Sequence, residues 1–511
     1  MPCGYCGSHG FILDSAEYKN PSSDSSLILR HPSYLPTVNV VSGVAFLFPR
    51  KQNQISALNM NSEDNNDTNH AAQSSAKLSP STSPDPPPFS LIHEIAFVAT
   101  VSCAQLMTQA ALGQAIATLH IIGDSFGTQN NGQLSWFAAG YSLTVGTFIL
   151  ITGRLGDMYG HKKLFMSSFV WFSVWSLLTG LSVYSSSKIC FDICRAFQGI
   201  GPATVLPNGL ALLETTYPAG RRKDMVFSIF GATAPSGFLV GALFSSIFAQ
   251  LAWWPWSYWS MAIACFSIAL VSYIVIPSPP PTNTDGLKKE HHFDFAGSVA
   301  GISGLVMVNF AWNQGPIVGW GEPYVYVLLI VGILFLVAFI FIEHRVVRPL
   351  LPPGILNGET GFTLACIAGG WGSFGIWVYY VWQFMEVLRG SSPLSSTAQY
   401  VPIGISGFCA AVTTGFLLSR VRSSYIMLAS MTAFTVGTIL VATTPVEQTY
   451  WAQLFVAIII MPWGMDMSFP AATVILSNNV PKEHQGMAAS LVSSYGCQLF
   501  HFDWTWNSGH G

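Results

Sequence analysis

Charge is what this chain has least of: only 9% of its residues are Asp, Glu, Lys or Arg, against a hydrophobic share of 50%. A soluble domain carries about 25% charged residues, so this composition excludes a water-covered globule and points to a polytopic membrane protein. No Gly-Lys pair occurs, which excludes the phosphate loop ending Gly-Lys-Ser/Thr that an ATP-driven pump needs. His-Glu-x-x-His is missing too, and the polar residues of the apolar segments are scattered, so neither a membrane enzyme nor a bound metal or other cofactor is expected. A net charge of −3 gives no basis for a nucleic-acid partner. The nine cysteines form no disulfide framework. Cys103, Cys190, Cys194, Cys265, Cys366 and Cys409 sit in apolar segments, where a thiol packs as a small hydrophobe, and Cys3-x-x-Cys6 lacks the second pair of a zinc site.

What is present begins with a tail. Residues 1–88 are rich in Ser, Asn, Asp and Pro, as in Asn61–Asp67 and Ser83–Pro88, and read as disordered. The apolar run Val38–Phe48 is too short to cross a bilayer and too far in to be a signal peptide. The texture changes at Met60, so a start of translation there is an alternative. From Leu91 on, hydropathy marks thirteen membrane segments: 91–118, 134–152, 164–184, 187–213, 225–249, 256–276, 295–312, 324–342, 361–384, 396–418, 424–443, 449–476 and 487–500. With the tail inside, Arg154, Lys162, Lys163, Arg221, Arg222, Lys223, Lys288, Lys289, Arg345, Arg348, Arg420, Arg422 and Lys482 all face the cytoplasm, and only Lys188 and Arg389 face out. A single missed crossing would destroy that asymmetry. The loops Tyr217–Met225 and Val480–Met487 each run from a proline through a polar turn into a helix, a weak sign of an internal repeat.

One stretch carries the most chemistry: Gly153-Arg-Leu-Gly-Asp157-Met-Tyr-Gly160-His-Lys162-Lys163, a glycine-rich, charged hinge between the second and third segments. Gly153, Gly156 and Gly160 allow a tight turn, and Asp157 is a fixed negative charge among Arg154, Lys162 and Lys163. The hinge resembles the signature of the major facilitator superfamily, Gly-x-Leu-Ala/Gly-Asp-Arg-x-Gly-Arg-Lys-x-x-Leu. Gly153, Leu155, Gly156, Asp157, Gly160 and Lys162 fall on that pattern, whereas Met158, His161 and Phe165 depart from it. The loss of Arg at 158 leaves open how the Asp157 charge is held. The resemblance implies an all-α membrane fold of two pseudo-symmetric six-helix bundles. Thirteen segments then divide into a first bundle at 89–276, a linker with two inserted helices at 277–358 and a second bundle from 359 to 511, as in the fourteen-helix drug:proton antiporters.

Arg195, inside the fourth segment, would cost at least about 2.5–3.5 kcal/mol at mid-bilayer, so it should face a partner or a cavity. Asp192 is three residues earlier on the same helix face. An Arg195 that snorkels out beside Lys188 is the competing reading. Arg195-Ala-Phe-Gln198-Gly199-Ile-Gly201 matches the family's second motif, which implies a role in proton coupling for Asp192, Arg195, Gln198 and Gly199. Gly231-Ala-Thr-Ala-Pro235-Ser-Gly237-Phe-Leu-Val-Gly241 gives the fifth segment a proline kink and a close-packing Gly237-x-x-x-Gly241 face, and it resembles the antiporter motif only loosely. Leu251–Trp259 reads as an interfacial aromatic belt. Gln109, Gln114 and Asp466 are the polar residues available to a substrate cavity, and Asp466 has an equal alternative as the cap of a helix broken at Pro462.

Residues 90 to 495 look most like the fungal aminotriazole-resistance-type exporters. That resemblance implies a monomeric, multi-pass transporter of the plasma membrane rather than the vacuole, exchanging a small toxic molecule for protons across the bilayer. A borate-like anion as cargo and a non-transporting sensor on the same fold remain the alternatives. Three further expectations follow. Asp157 should pair with the start of a helix near Gly486; Arg195 should tune the protonation of Asp192; and the second bundle should lack its last helix, the apolar pattern breaking after Phe500.

Overall fold

The computed structural model describes residues 90–128, 130–218, 220–277, 294–346 and 358–479, and among these it is helical without strands. The fourteen α-helices are α1 (Leu91–Ile116), α2 (Leu119–Ser125), α3 (Asn131–Tyr159), α4 (His161–Leu181), α5 (Lys188–Thr216), α6 (Arg221–Leu251), α7 (Pro255–Val275), α8 (Phe295–Val318), α9 (Pro323–Glu343), α10 (Gly358–Gln383), α11 (Pro393–Tyr400), α12 (Pro402–Leu418), α13 (Ser423–Ala442) and α14 (Gln453–Asn479). A π-helical turn, Phe384–Leu388, extends α10. Helices are what the composition demands, because lipid offers no partner for a backbone N–H or C=O. Ten of them are long and apolar enough to cross a membrane, α11 and α12 counting together, and α3 makes an eleventh across a 51° bend. α5 is 29 residues long and matches the others in length, but it carries Arg195 in its interior. Twelve of the thirteen expected segments are thus helices, and the thirteenth, 487–500, lies outside the described residues.

Local signals set the helix starts. Ser90, Asn130, Ser187, Asp294 and Ser392 accept backbone N–H bonds at the heads of α1, α3, α5, α8 and α11. Proline occupies the first turn of α7, α9, α11 and α12, where its missing N–H costs nothing.

Two groups of helices pack by the same scheme. In the first, α3 and α4 both pack on α5, and in the second α12 and α13 both pack on α14. α1 touches α5 as α10 touches α14. These corresponding contacts are those of two pseudo-symmetric bundles. The pair α8 and α9 interlocks through Gly304 against Leu336 and Gly332 against Val308, and reaches α3 through the Trp136 indole, which donates to Gln314 Oε1 at 3.1 Å. These two are the inserted helices.

α6 joins the halves. A Cβ at Gly237 would lie 2.3 Å from the Leu106 carbonyl oxygen, and one at Gly241 2.0 Å from that of Ala110, so both glycines are needed for α6 to meet α1. On its other side α12 presents Gly404, Gly407 and Gly415 to Leu239, Pro235 and Ser228. α6 runs unbroken from Arg221 to Leu251 with Pro235 inside it, so the proline serves as a contact with Gly407 and does not interrupt the helix. Gly231 departs from the packing expected of it, because a Cβ there would meet nothing within 4 Å.

The aromatic stretch at the start of α7 also differs from a simple belt. Trp253 and Trp256 are exposed as expected, but Trp254 and Tyr258 are buried against Phe191 of α5. At the other end of α1, Glu94 accepts from the Arg222 guanidinium and, at 3.1 Å, from the Tyr217 hydroxyl, riveting α1 to the α5–α6 turn. The glycine geometry sets an expected outcome. Gly241→Val should lower the stability of the purified chain in thermal melting by about 1–3 kcal/mol or more, the usual cost of over-packing. Gly231→Ala should leave it unchanged or raise it slightly.

Candidate functional site

Three polar centres stand out among the described residues, and the first is Arg195. It is 0% exposed, among the largest fully buried side chains. Its Nε donates to the Phe137 carbonyl at 2.8 Å, Nη2 to the Ala111 carbonyl at 3.1 Å and Nη1 to Gln198 Oε1. The Tyr141 ring lies 4.5 Å from the guanidinium carbon and the Tyr258 ring 5.9 Å from it. Gln198 passes the contact on, its amide donating to Ser176 Oγ at 2.7 Å. Gly199 makes the approach possible, since a Cβ there would lie 2.1 Å from the Tyr141 carbonyl oxygen. α1, α3, α4, α5 and α7 all contribute to this network.

The snorkelling alternative is excluded by that burial. Lys188, its supposed companion, instead donates to Gln133 Oε1 at 3.0 Å. The expected pairing with Asp192 is not formed either: no ion pair within 4.0 Å joins them, and Asp192 Oδ1 is buried without a hydrogen-bond partner. Neutral oxygens and aromatic faces surround the guanidinium in its place. Gln114 is buried one helical turn from Ala111, and Gln109 is half-buried on the same helix.

The second centre is Asp466. α14 is continuous from Gln453 to Asn479 through Pro462 and Pro470, so Asp466 is not the cap of a broken helix. It sits about 20 Å into the helix at 1.5 Å per residue. Its Oδ2 is buried with no hydrogen-bond partner and lies 2.9 Å from where a Gly407 Cβ would be. The Pro235 ring of α6 lies 2.6 Å from the same point. One carboxyl group is therefore buried where α14 and α12 of the second bundle meet α6 of the first.

The third centre is the hinge. α3 runs on to Tyr159 and α4 starts at His161, so Gly153, Leu155, Gly156 and Asp157 belong to the last turns of α3 and the turn itself is one residue, Gly160. That residue has φ +96°, a conformation that excludes most side chains. Asp157 is exposed and pairs with Arg154 at 3.5 Å, which answers how its charge is held without an Arg at 158, and His161 Nε2 lies 3.6 Å from its other oxygen. Lys162 donates to the Tyr273 carbonyl of α7 at 3.2 Å. The partner expected near Gly486 lies outside the described residues. Sequence reasoning missed three contacts between distant elements: Glu94 with Arg222, His161 with Asn208 at 2.9 Å, and His120 with Gln383 at 2.8 Å. Of these only the Glu94–Arg222 pair left a signal, two opposite charges beside apolar runs.

The family model of the Major Facilitator Superfamily matches residues 98–499. The chain belongs to that superfamily. Over 412 residues it is 64% identical to a low affinity ammonium transporter of Saccharomyces cerevisiae, covering 80% of each chain. It is 50% identical over 411 residues to the efflux pump terJ of Aspergillus terreus, covering 80% of this chain and 79% of the other. It is 41% identical over 409 residues to the aminotriazole resistance protein of S. cerevisiae, covering 79% and 74%. The solved structure of the xylose transporter XylE from E. coli, at 14% identity, superposes with a TM-score of 0.54 over 82% of this chain and 90% of that one, a likeness of fold. This facilitator protein is a multi-pass membrane transporter and not an enzyme. The aminotriazole-type likeness holds, with the ammonium transporter a nearer relative still.

Arg195→Lys keeps the charge of the buried network and loses the planar fork that reaches three acceptors at once. Each buried acceptor left unmet costs about 1–3 kcal/mol, so Arg195→Lys is expected to melt several degrees below the parent chain. A melting curve superposable on the parent's would refute the network.

Proposed function

We propose that this transporter exports small toxic molecules across the plasma membrane in exchange for protons, as a monomer. Its basic end, where Arg154, Lys162 and Arg222 lie, faces the cytoplasm. Residues 89–276 and those from 359 on are the two bundles that rock against each other, with 277–358 the inserted element. The observation that carries this reading is Asp466, a carboxyl group buried at the junction of the bundles without a hydrogen-bond partner on Oδ2. A carboxylate in that place is costly alone and calls for a cation, either a proton or the protonated nitrogen of a substrate. Exchange of one for the other on the same oxygen is the simplest form of antiport.

The names of the relatives narrow the substrate class. Ammonium and aminotriazole are both small, polar, nitrogen-bearing solutes, and both fit a single buried acid better than a large apolar drug does. Protonatable small nitrogen compounds are therefore the class we assign. Arg195, Gln198 and Gly199 hold the first bundle's helices in register around this path, and Asp192 is the second acid that a proton could visit.

The ammonium transporter relative supports a second reading, movement of the same class of solute down its gradient without proton exchange. One assay separates the two. Proteoliposomes of the full chain are given radiolabelled methylammonium with and without an imposed pH gradient. The antiport reading expects a gradient-driven flux that Asp466→Asn lowers by about tenfold or more, since a contact with a charged group is worth about 1.5–3 kcal/mol. Gly231→Ala should retain the flux. Equal flux with and without the gradient favours the second reading, and a gradient-driven flux unchanged in Asp466→Asn removes Asp466 from the mechanism.

A further inference from the structure

His161 stands where the family pattern has Arg, and the structure uses it in two directions. Its Nδ1 lies 2.9 Å from Asn208 Oδ1. The amide nitrogen of Asn208 donates to the Thr204 carbonyl at 2.7 Å and points to that of Thr152 at 3.4 Å, so its oxygen is the end left for the imidazole. Nδ1 must then carry a proton and donate. In the neutral ring Nε2 is consequently a lone pair, and that lone pair faces Asp157 Oδ1 at 3.6 Å. Two acceptors facing each other repel, whereas a second proton on the ring turns the same geometry into an ion pair.

The arrangement is closely fitted. A Cβ at Gly156 would lie 2.0 Å from Asn208 Oδ1 and 2.6 Å from His161 Nδ1, so only glycine lets α3 pass this contact. The other charges around the ring are few. From α3, Arg154 takes the second oxygen of Asp157. From α5 comes the neutral amide of Asn208. Within α4, Lys163 is exposed and Lys162 is directed to the Tyr273 carbonyl and ring of α7.

We propose that His161 is a proton-reading positioning residue for Asp157. The orientation of the basic end toward the cytoplasm comes from the function proposed above; the contact itself does not depend on it. When the ring is doubly protonated, His161 and Arg154 together hold Asp157 at the end of α3. As pH rises the imidazolium is lost, and Asp157 keeps Arg154 alone and is freer to meet groups elsewhere at that mouth. Imidazole is the side chain whose charge changes between about pH 5 and 8, and the Arg of the family pattern never changes in that range, so this substitution converts a fixed contact into a responsive one.

The test uses the full chain in two arms. Diethyl pyrocarbonate acylates the unprotonated imidazole nitrogen, and its reaction at His161 is followed by mass spectrometry in the parent chain and in Asp157→Asn. The parent should react about two- to fivefold more slowly near pH 6, the range of a partly exposed ion pair, and the two rates should converge near pH 8. In the second arm, methylammonium flux is measured in proteoliposomes as the pH on the cytoplasmic side is varied. At each pH the flux of a variant is read as a ratio to the parent's, which cancels the driving force: for His161→Arg the ratio should be near one at about pH 5 and depart from one toward pH 8, and for His161→Gln it should be near one at about pH 8 and depart from one toward pH 5. Equal acylation rates in the parent and Asp157→Asn overturn the proposal. So does a ratio of His161→Arg to parent flux that is the same at about pH 5 and at about pH 8. If the parent moves no methylammonium, the substrate class assigned above fails, and the acylation rates still decide the role of His161.

Discussion

Close, glycine-dependent packing on both sides of α6, against backbone of α1 and with α6 side chains against α12, is the constraint on which the rest of this structure depends. Gly237 and Gly241 set α6 against the carbonyls of α1, and Gly404, Gly407 and Gly415 set α12 against the opposite side of the same helix. In lipid, apolar side chains gain little by leaving their surroundings for each other, so packing at short range is the chief source of helix association. One helix fitted on both sides fixes where the two bundles meet. It thereby fixes where Pro235, Gly407 and Asp466 come together, beside the contacts of Phe238 with Trp382 and Tyr400, and polar pairs add to the contacts between the bundles. His120 with Gln383, and Ser246 with Thr397 at 2.9 Å, are contacts of that kind, toward the end away from Gly160.

The polar centres differ in how their charge is met, and the proposed roles rest on that difference. Arg195 has every part of its guanidinium engaged by carbonyls, an amide and aromatic faces, the pattern of a group that holds helices together. Asp466 has an oxygen with nothing to accept from, the pattern of a group whose partner comes and goes. Asp157 lies between these, paired at the surface with one permanent cation and one that depends on pH. In the proposed function these are a rigid half, a site that changes occupancy, and a contact at the mouth that changes strength.

Much of this was legible in the sequence because lipid forces it. Long apolar runs have to be helices, and twelve of them are where hydropathy puts them. The hinge glycines and Arg195 were legible because charge and φ > 0 are rare and costly at those places. Contacts between elements were not. Only the four-residue spacing to Gly241 sets Gly237, which faces the backbone of α1, apart from Gly231, which faces open space, and that spacing does not name the partner helix. Pro462 reads as a helix breaker, yet the membrane environment lets α14 continue through it, and Asp466 is buried in mid-helix as a result. His161 reads as a lapse from the family pattern until Asn208, 47 residues away, is seen to fix its tautomer.

The proposed rocking of the bundles would have the α6–α12 seam as its pivot. Electron-resonance distances between spin labels test it directly, with one pair at Tyr184 and Trp451, exposed at the ends of the two bundles away from Gly160, and a second pair at Ile229 and Phe416, exposed on either side of the seam. Adding methylammonium and a pH gradient should lengthen the Tyr184–Trp451 distance and leave Ile229–Phe416 where it was. A seam distance that changes as much as the distance between the ends would contradict the account.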